Sequence, residues 1–357
     1  MSQLTPLAWP ANWQYALGEP TESAVFKKQW QDFQVFENLG FTPSGEGEHV
    51  FLDITKVDTN TDYLARQLAK LAAVPMRQVT YSGLKDRHGV TRQWFAVHLP
   101  GKQVVEPDWR SLASDRVHLH EITRHQKKLR IGAHLSNSFV VRLGGISQSD
   151  DMDRRLAAVG QQGVPNYFGE QRFGQQGNNL SMAARLVAGE RIKDRFQQGM
   201  AMSAARSYLF NQLLSERIAQ GNWLTAMPGD FYVASDDYNP FKADADEATQ
   251  GRINAGEVGP TGLMAGRPGR GQSSHATELE QQCLTGYEDW IQGLGDLRLD
   301  ADRRALRLLP ADWQWQWLAD NVLELSFTLL RGAYATSILR ELVHTLNPHQ
   351  KNSTTAD

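Results

Sequence analysis

The sequence has a single cysteine, Cys283, among 357 residues. It therefore cannot form an internal disulfide framework or a cysteine-rich zinc site. No apolar run approaches the roughly 18 residues that a membrane-spanning helix needs. Residues 1–20 lack a basic patch followed by an apolar stretch, so the sequence predicts no signal peptide. We expect a cytoplasmic protein that does not associate with membranes.

The common cofactor motifs are also missing. The sequence has no GxxxxGK[ST] phosphate loop, no HExxH motif and no GxSxG elbow. The glycine pattern of Gly266–Gly271 is not preceded by a predicted strand, and the ten histidines are scattered without metal-ligand spacing. These absences predict a protein that uses no metal, nucleotide or nicotinamide cofactor.

Charge is unevenly distributed along the chain. The net charge of −3 argues against a general polyanion binder. One stretch, from Glu121 to Arg142, has one acid and five basic residues, and we call it the basic strip. Such a strip suits a partner whose phosphates contact one face of the protein. The alternative is an ordinary charged face in contact with solvent. The basic members are Arg124, Lys127, Lys128, Arg130 and Arg142.

Hydrophobic periodicity in the first part of the chain predicts strands separated by helices. Apolar residues alternate in His49–Ile54, Gln93–Leu99 and Ser138–Leu143, which is the period of a half-buried strand. Asp62–Ala73 carries a helical stripe, with Asn60 or Thr61 available as the N-cap. This arrangement predicts an α+β fold.

The pattern changes near Gly163 and changes back near Pro310. The intervening stretch is rich in Gly, Gln and Ala, with a helix predicted over Ser203–Ala219 and a loop over Gly256–Ser274. The strand pattern returns at Leu323–Leu329. We therefore predict a discontinuous domain of residues 1–162 and 311–357, interrupted by a second domain of residues 163–310.

Two features of this last part are also predicted from spacing. A helical stripe after the strand comprises Ile338, Leu342 and Leu346. Three tryptophans at alternate positions predict one face of a strand rather than a base-stacking ladder: Trp313, Trp315 and Trp317.

Two segments have residue types that suit chemistry more than packing. In Tyr81–Gln93, a predicted strand leads into a turn in which Asp86 stands between Lys85 and Arg87. Flanking cations favour an ionised carboxylate, which a nucleophile or base needs, and the alternative is an exposed charged turn. Pro165–Gly174 interleaves aromatic, amide and arginine residues between glycines, which suits stacking on a base or a rigid linker.

Long blocks of the sequence resemble the TruD family of tRNA pseudouridine synthases. They are GLKDRHGVTRQ (Gly83–Gln93), NYFGEQRFG (Asn166–Gly174) and GAYATSILRELV (Gly332–Val343), in the order and spacing of the family. Phe26–Glu37 and Ser136–Phe139 resemble further family blocks. The resemblance implies conversion of uridine to pseudouridine at position 13 of tRNA. It also implies a mixed or antiparallel sheet in a pseudouridine synthase catalytic domain, interrupted by a TruD-specific α/β insertion domain.

The resemblance also implies roles for individual residues. Asp86 is the expected catalytic residue, and Lys27 is the expected ion-pair partner, with Lys85 or Arg87 as local competitors. The expected substrate-binding residues are Lys27, Phe33, Gln93, Asn137, Phe139, Arg172 and Tyr334. Tyr334 replaces the phenylalanine typical of this place, so its hydroxyl needs a partner.

Simpler roles remain open for some of these residues. Phe33 and Phe139 are on predicted strands and would ordinarily be core residues. For Gln93 the simpler alternative is a role limited to capping a turn. We expect tRNA as the partner of a monomer that needs no other protein. The alternatives are an RNA-binding protein without catalysis and a nucleoside- or glycoside-cleaving hydrolase, for which no second acid has an evident place beside Asp86.

Overall fold

The computed structural model describes residues 4–101, 105–235, 237, 239–319, 321–346 and 348. Residues 349–357, at the end of the predicted catalytic domain, lie outside this set. The chain forms two compact units. The sheet unit comprises Glu22–Asp153, Pro310–Gly332 and the described residues from Val343 onward, and the helical unit comprises those up to Thr21, Arg154–Leu309 and Ala333–Leu342.

These units and the predicted domains have different boundaries. The first described residues, the segment from Arg154 to residue 162, and Ala333–Leu342 all belong to the helical unit rather than to the sheet unit. The division into a catalytic and an insertion domain stays a prediction.

Strands and helices are distributed along the whole described chain. The strands are β1 (Ser23–Phe26), β2 (Phe33–Asn38), β3 (His49–Val57), β4 (Val79–Tyr81), β5 (Val90–His98), β6 (Val117–His125), β7 (Ser136–Gly144), β8 (Val164–Pro165), β9 (Phe231–Ala234), β10 (Phe241–Lys242), β11 (Val258–Met264), β12 (Asp302–Ala305), β13 (Arg307–Leu308), β14 (Ala311–Ala319), β15 (Val322–Leu330) and β16 (His344–Leu346). The helices are α1 (Thr61–Leu71), α2 (Asp150–Gln162), α3 (Asn178–Val187), α4 (Arg195–Ala219), α5 (Glu247–Asn254), α6 (Glu278–Cys283), α7 (Glu288–Asp296) and α8 (Ala335–Leu342).

A ten-stranded mixed sheet organises the sheet unit. Its main path runs β14-β15-β7-β2-β5-β3-β6, with β1 beside β7 and β16, and β4 beside β5. The pairs β2–β5 and β1–β16 are parallel, and the other described pairs are antiparallel. Together with the helices, this sheet confirms the α+β prediction.

One face of β3 and β5 forms a core beneath α1. Val50, Leu52 and Ile54 lie on the same face as Phe95 and Val97, and all five are fully buried. The α1 stripe, with Leu64 and Leu68, packs on this face. The three predicted strands are confirmed as β3, β5 and β7, and the predicted helix is confirmed as α1, with Asn60 as its N-cap.

The helical unit is built around the long helix α4. This helix begins at Arg195, eight residues before the predicted start at Ser203. A four-stranded sheet in the order β10-β9-β11-β12 belongs to the same unit.

The predicted loop over Gly256–Ser274 is wrong in part, because β11 runs through it. Gly262, one of the glycines that suggested a loop, lies in β11 and serves close packing. A Cβ on Gly262 would lie 2.9 Å from Leu306, 3.0 Å from Leu213 and 3.1 Å from Phe210.

The last part of the chain follows the prediction with one exception. The predicted strands are present as β14, which contains the three tryptophans, and β15. Helix α8 ends at Leu342, so the prediction that Leu346 continues the helical stripe is wrong. Leu346 instead ends β16, which pairs with β1. Among the described helices, none has the length and apolar character that crossing a membrane requires.

Candidate active site

Asp86 lies on an exposed loop, Ser82–Gly89, between β4 and β5. We call this segment the Asp86 loop. Its carboxylate Oδ2 accepts a hydrogen bond from Lys27 Nζ at 3.2 Å, with 43% of the side chain exposed. The two neighbouring cations point elsewhere, because Lys85 pairs with Glu37 and Arg87 pairs with Asp58. The structure thus brings Asp86 together with Lys27, as expected, and engages both predicted competitors with other acids.

Lys27 adopts a backbone conformation that suits few residues. It follows β1 directly, and its φ of 61° lies in the left-handed region, which is unfavourable for a side chain of this kind. Its ammonium lies 4.0 Å from the centroid of the Phe33 ring and 5.0 Å from that of Phe26. Strain of this type is retained mainly where a function needs the resulting side-chain position. Here that position is beside Asp86.

Phe33 and Phe139 belong to a continuous row of rings. Ring centroids are 6.1 Å apart between Phe33 and Phe139, and 5.3 Å apart in the stacked pair of Phe139 and Phe327. Phe33 is 4% exposed and Phe139 is 8% exposed. Both are therefore core residues over most of their surface, and Phe33 also contacts the Lys27 ammonium.

Glu37 of β2 supports the start of the Asp86 loop from beneath. Its buried carboxylate Oε2 accepts hydrogen bonds from Ser82 Oγ at 2.6 Å and from Lys85 Nζ at 2.5 Å. Its other oxygen accepts a hydrogen bond from the Trp94 backbone N–H at 3.1 Å. An ion pair with so little exposure needs all of these hydrogen bonds to offset its desolvation. The resulting network fixes the loop to β2 and β5.

Gln93 also holds the loop in place. Its fully buried side chain donates from Nε2 to the Gly83 carbonyl at 3.1 Å and accepts at Oε1 from Thr61 Oγ1 at 2.8 Å. Thr61 accepts in turn from the Lys85 backbone N–H at 3.1 Å. Gln93 is thus inside β5 and holds the loop from within, where it has no exposed surface to offer a ligand.

Gly89 ends the loop where the backbone passes close to Phe33. A Cβ at this position would lie 2.6 Å from the Phe33 carbonyl oxygen and 3.1 Å from its ring. Any side chain would push apart the first residues of β2 and β5, which are adjacent parallel strands. Glycine is required here because of this close approach.

Asn137 of β7 has one satisfied and one unsatisfied polar atom. Its Nδ2 donates to His134 Nε2 at 3.2 Å, so the His134 proton is on Nδ1. Burial, followed by the charge of Lys85, lowers the pKa of His134 and so favours the neutral ring. Within the described residues, His134 Nδ1 and Asn137 Oδ1 are buried without partners. A buried acceptor without a donor is unfavourable by about 1–3 kcal/mol, so Oδ1 is suited to receive one.

Arg172 and Tyr334 lie together in the helical unit. Arg172 donates to the Tyr334 hydroxyl at 2.6 Å and to Ser203 Oγ at 3.2 Å. The guanidinium also lies 5.4 Å from the ring centroid of Phe168. The hydroxyl that distinguishes Tyr334 from phenylalanine thus has a partner.

The basic strip contains ion-paired side chains and exposed ones. Arg124 forms an ion pair with Glu106, and Arg142 forms one with Glu324. The other three basic residues are exposed, in a segment between β6 and β7 that is tied to the Asp86 loop by a 2.6 Å hydrogen bond from the Gly132 N–H to the Ser82 carbonyl. We call these three the basic tip: Lys127, Lys128 and Arg130.

Lys56, Thr61 and Glu37 were not identified as site residues from the sequence, although the position of Lys56 left a signal. Lys56 continues the buried alternation of Val50, Leu52 and Ile54, and Gln93 precedes that of Phe95 in the same way. Polar residues at the ends of two adjacent apolar stripes indicate a buried polar layer. Thr61 and Glu37 showed no comparable signal. In the part of the chain that the structure describes, no group of three His, Cys, Asp or Glu residues is placed to hold a metal ion.

Comparison with known proteins gives a consistent result. The family model for tRNA pseudouridine synthase D (TruD) matches residues 13–194 and 191–342. Over 330 residues, the chain is 45% identical to tRNA pseudouridine synthase D of Aeromonas hydrophila, covering 92% of this chain and 93% of that protein. It is 43% identical over 331 residues to the protein of the same name from Methylococcus capsulatus, with 92% and 93% coverage.

The fold has also been seen in a solved structure. A structure from Methanosarcina mazei, assigned to tRNA pseudouridine synthase D (TruD), superposes with a TM-score of 0.68 at 19% identity. The match covers 94% of this chain and 96% of that one. At this identity the match shows a shared fold.

Proposed function

Because the chain belongs to the TruD family of tRNA pseudouridine synthases, we propose that it converts uridine to pseudouridine at position 13 of tRNA. The observation that carries the proposal is the Lys27–Asp86 ion pair on an exposed loop whose backbone is held by buried polar side chains. An accessible carboxylate in a fixed position is what the reaction requires, because it must act on the ribose of the substrate.

The reaction is an isomerisation of the nucleotide. The C1′–N1 glycosidic bond breaks, the base turns, and C5 of the base joins C1′, so no atoms are gained or lost except that the proton on C5 moves to solvent and N1 acquires one. The uridine must first leave its stack, which is unfavourable by a few kcal/mol. Asp86, ionised beside Lys27, either attacks C1′ to form a covalent adduct or removes the C2′ proton to give a glycal. Both routes use the same carboxylate.

The other expected site residues then divide into two groups. Phe33, Phe139 and Gln93 are almost wholly buried, so we propose that they support the site from beneath. Asn137 is half-buried, and its Oδ1 is buried without a donor in the described structure, so we propose that the side-chain amide turns to present this oxygen to the N3–H of uracil. We propose that Tyr334 stacks on the base and that Arg172 orients this ring while contributing to the grip on tRNA.

Replacement of Asp86 by Asn tests the proposal. We expect Asp86→Asn to lose at least about a thousandfold in rate, because removal of a nucleophile or base has effects of this size. Binding of tRNA should stay within about threefold of the wild type, because the amide is isosteric. Pseudouridine is measured by mass spectrometry in a tRNA transcript, and binding by filter retention. Asp115→Asn, at an exposed acid in another loop, is the matched control and should keep full activity.

Three outcomes would contradict the proposal. A wild-type protein that binds tRNA without forming pseudouridine would be an RNA-binding protein. Release of free uracil would identify a hydrolase. Full activity on a transcript with cytidine at position 13 would exclude that position as the target.

We propose tRNA as the partner, a monomer as the active form without an obligate protein partner, and the cytoplasm as the site of action. The first is supported by the family and by the exposed basic tip. Sedimentation of the active protein and cell fractionation test the other two. A dimer that loses activity on dilution, or activity in a membrane fraction, would contradict them.

A further inference from the structure

A complete lysine side chain is buried under the Asp86 loop. Lys56, near the end of β3, has no exposed surface. Its ammonium donates to the backbone carbonyl of Asp86 at 2.9 Å and faces that of Lys85 at 3.5 Å. In the described structure, these hydrogen-bond partners are carbonyl oxygens rather than a carboxylate. The ammonium is therefore a buried charge without a direct counter-ion.

Such a charge is unfavourable in a protein interior. An ammonium removed from water loses its hydration, and proteins usually either pair it or replace it with an apolar residue. Burial lowers the pKa of Lys56 to about 8, with Lys85 lowering it further and Asp86 opposing the change. The preceding residues on this face are Val50, Leu52 and Ile54, so an apolar residue would continue the stripe. The presence of lysine at this point, rather than an apolar residue, points to a function for its charge.

Lys56 differs from the other residues that hold the loop. Gln93 bonds to Gly83, Thr61 bonds to the Lys85 N–H, and Glu37 bonds to side chains of the loop. Of these described supports, Lys56 is the one that bonds to Asp86 itself. It is also the one that brings a positive charge.

We propose that Lys56 is a positioning residue for the reaction: its ammonium fixes the peptide of Asp86 and supplies a second positive charge to the carboxylate that Lys27 contacts. This inference rests on the proposed function of Asp86. The peptide hydrogen bond sets the direction in which the Asp86 side chain leaves the backbone. A free peptide would let the carboxylate turn away from Lys27 and from the ribose.

The charge contribution follows from the groups that surround Lys56. Asp86 and Lys85 are the charged groups that act on it. Lys85 is paired at 2.5 Å with Glu37, which offsets its charge, whereas the Lys56 ammonium has only carbonyl partners. Loss of the Lys56 proton would therefore remove one of the two positive charges near the Asp86 carboxylate and leave the Lys27 ammonium. Activity should fall as the pH rises through about 8.

The test compares Lys56→Met, Lys56→Arg and Thr61→Val by single-turnover pseudouridine formation between pH 6 and 10. Lys56→Met should reduce the rate about tenfold to a hundredfold, the range for a displaced catalytic group. Binding of tRNA should stay within about twofold, because Lys56 has no exposed surface. Lys56→Arg retains a charge at all these pH values, so it should recover part of the rate and abolish the decline above pH 8. Thr61→Val loosens the loop without a charge change, so it should lower the rate and keep the decline.

The outcomes separate the possibilities. A decline at high pH that Lys56→Arg retains belongs to another group, such as the uracil N3–H, and overturns the charge role. A wild-type rate in Lys56→Met overturns the positioning role. If Lys56→Met fails to fold, the pH profile of Lys56→Arg still decides. Failure of the proposed function is distinct, because the wild type would then form no pseudouridine.

Discussion

Arg172 donates a hydrogen bond of 2.6 Å to the hydroxyl of Tyr334, across 162 positions of sequence. The two residues come from separate blocks of sequence, Asn166–Gly174 and Gly332–Val343, which the fold brings together in the helical unit. The hydroxyl is therefore used within the protein. Its loss should affect stability more than stacking.

A double-mutant cycle measures this interaction. We expect Tyr334→Phe and Arg172→Ala, made singly and together, to show a coupling of about 1.5–3 kcal/mol in the free energy of unfolding, as for a hydrogen bond to a charged donor. Tyr334→Phe alone should keep the rate of pseudouridine formation within about twofold, because the ring remains for stacking. Urea unfolding and rate assays provide the two measurements. Additive free energies would mean that the hydrogen bond contributes nothing, and unaltered kinetics in Arg172→Ala would refute its role in substrate grip.

Lys27 should be needed for the reaction rather than for folding. Lys27→Met removes the ammonium from Asp86 and should lower the rate of pseudouridine formation about tenfold to a hundredfold, the effect of removing a nearby charge from a partly exposed site. Lys28→Met is the control, because Lys28 is the adjacent exposed lysine. Equal rates in the two variants would show that the Lys27–Asp86 pair has no catalytic importance.

Gly89 should tolerate no side chain. Gly89→Ala places a Cβ 2.6 Å from the Phe33 carbonyl oxygen, which forces β2 and β5 apart. We expect the free energy of unfolding to fall by about 1–3 kcal/mol, as for other overpacked sites. Gly144→Ala, where no atom lies within 4 Å of the added Cβ, is the matched control. Thermal unfolding compares the two, and equal losses would contradict the close-approach argument.

The basic tip should contribute electrostatically to tRNA binding. Replacement of Lys127, Lys128 and Arg130 by Gln should weaken binding and reduce the slope of log affinity against log salt by roughly 0.7–0.9 for each phosphate that the variant no longer neutralises. Arg142→Gln is the control from the same strip, because Arg142 is paired with Glu324 at 2.7 Å. Filter binding at several salt concentrations gives the slopes. A triple variant with the wild-type slope would show that the tip is only a solvated face.

Burial of Lys56 also predicts how stability depends on pH. The folded protein loses this proton near pH 8, whereas the unfolded chain loses it near 10.5. Between these values the unfolded state binds more protons, so the free energy of unfolding rises with pH. The unfavourable contribution is on the order of 3 kcal/mol below pH 8 and disappears above 10.5. Urea unfolding of the wild type minus that of Lys56→Met should show this rise, and a flat difference would contradict it.

The sequence predicted regular elements well where apolar residues repeat, as in β3, β5 and α1. It failed at β11, because buried glycines there have the same composition as a loop and differ only in what packs on them. Within the site, Lys27 and Asp86 were identified by family resemblance, and the structure shows that they form an ion pair. Glu37 was missed because burial of a charge depends on partners that are distant in sequence, such as Lys85.

The parallel pairing of β1 with β16 has a consequence for synthesis of the chain. Ser23 is aligned with His344, so β1 cannot complete its pairing until the chain has been synthesised as far as β16. Ala333–Leu342, made just before β16, completes the other unit. Pairing between such distant segments slows folding and leaves strand edges exposed to aggregation in the meantime. A nascent chain released early would thus lack part of both units.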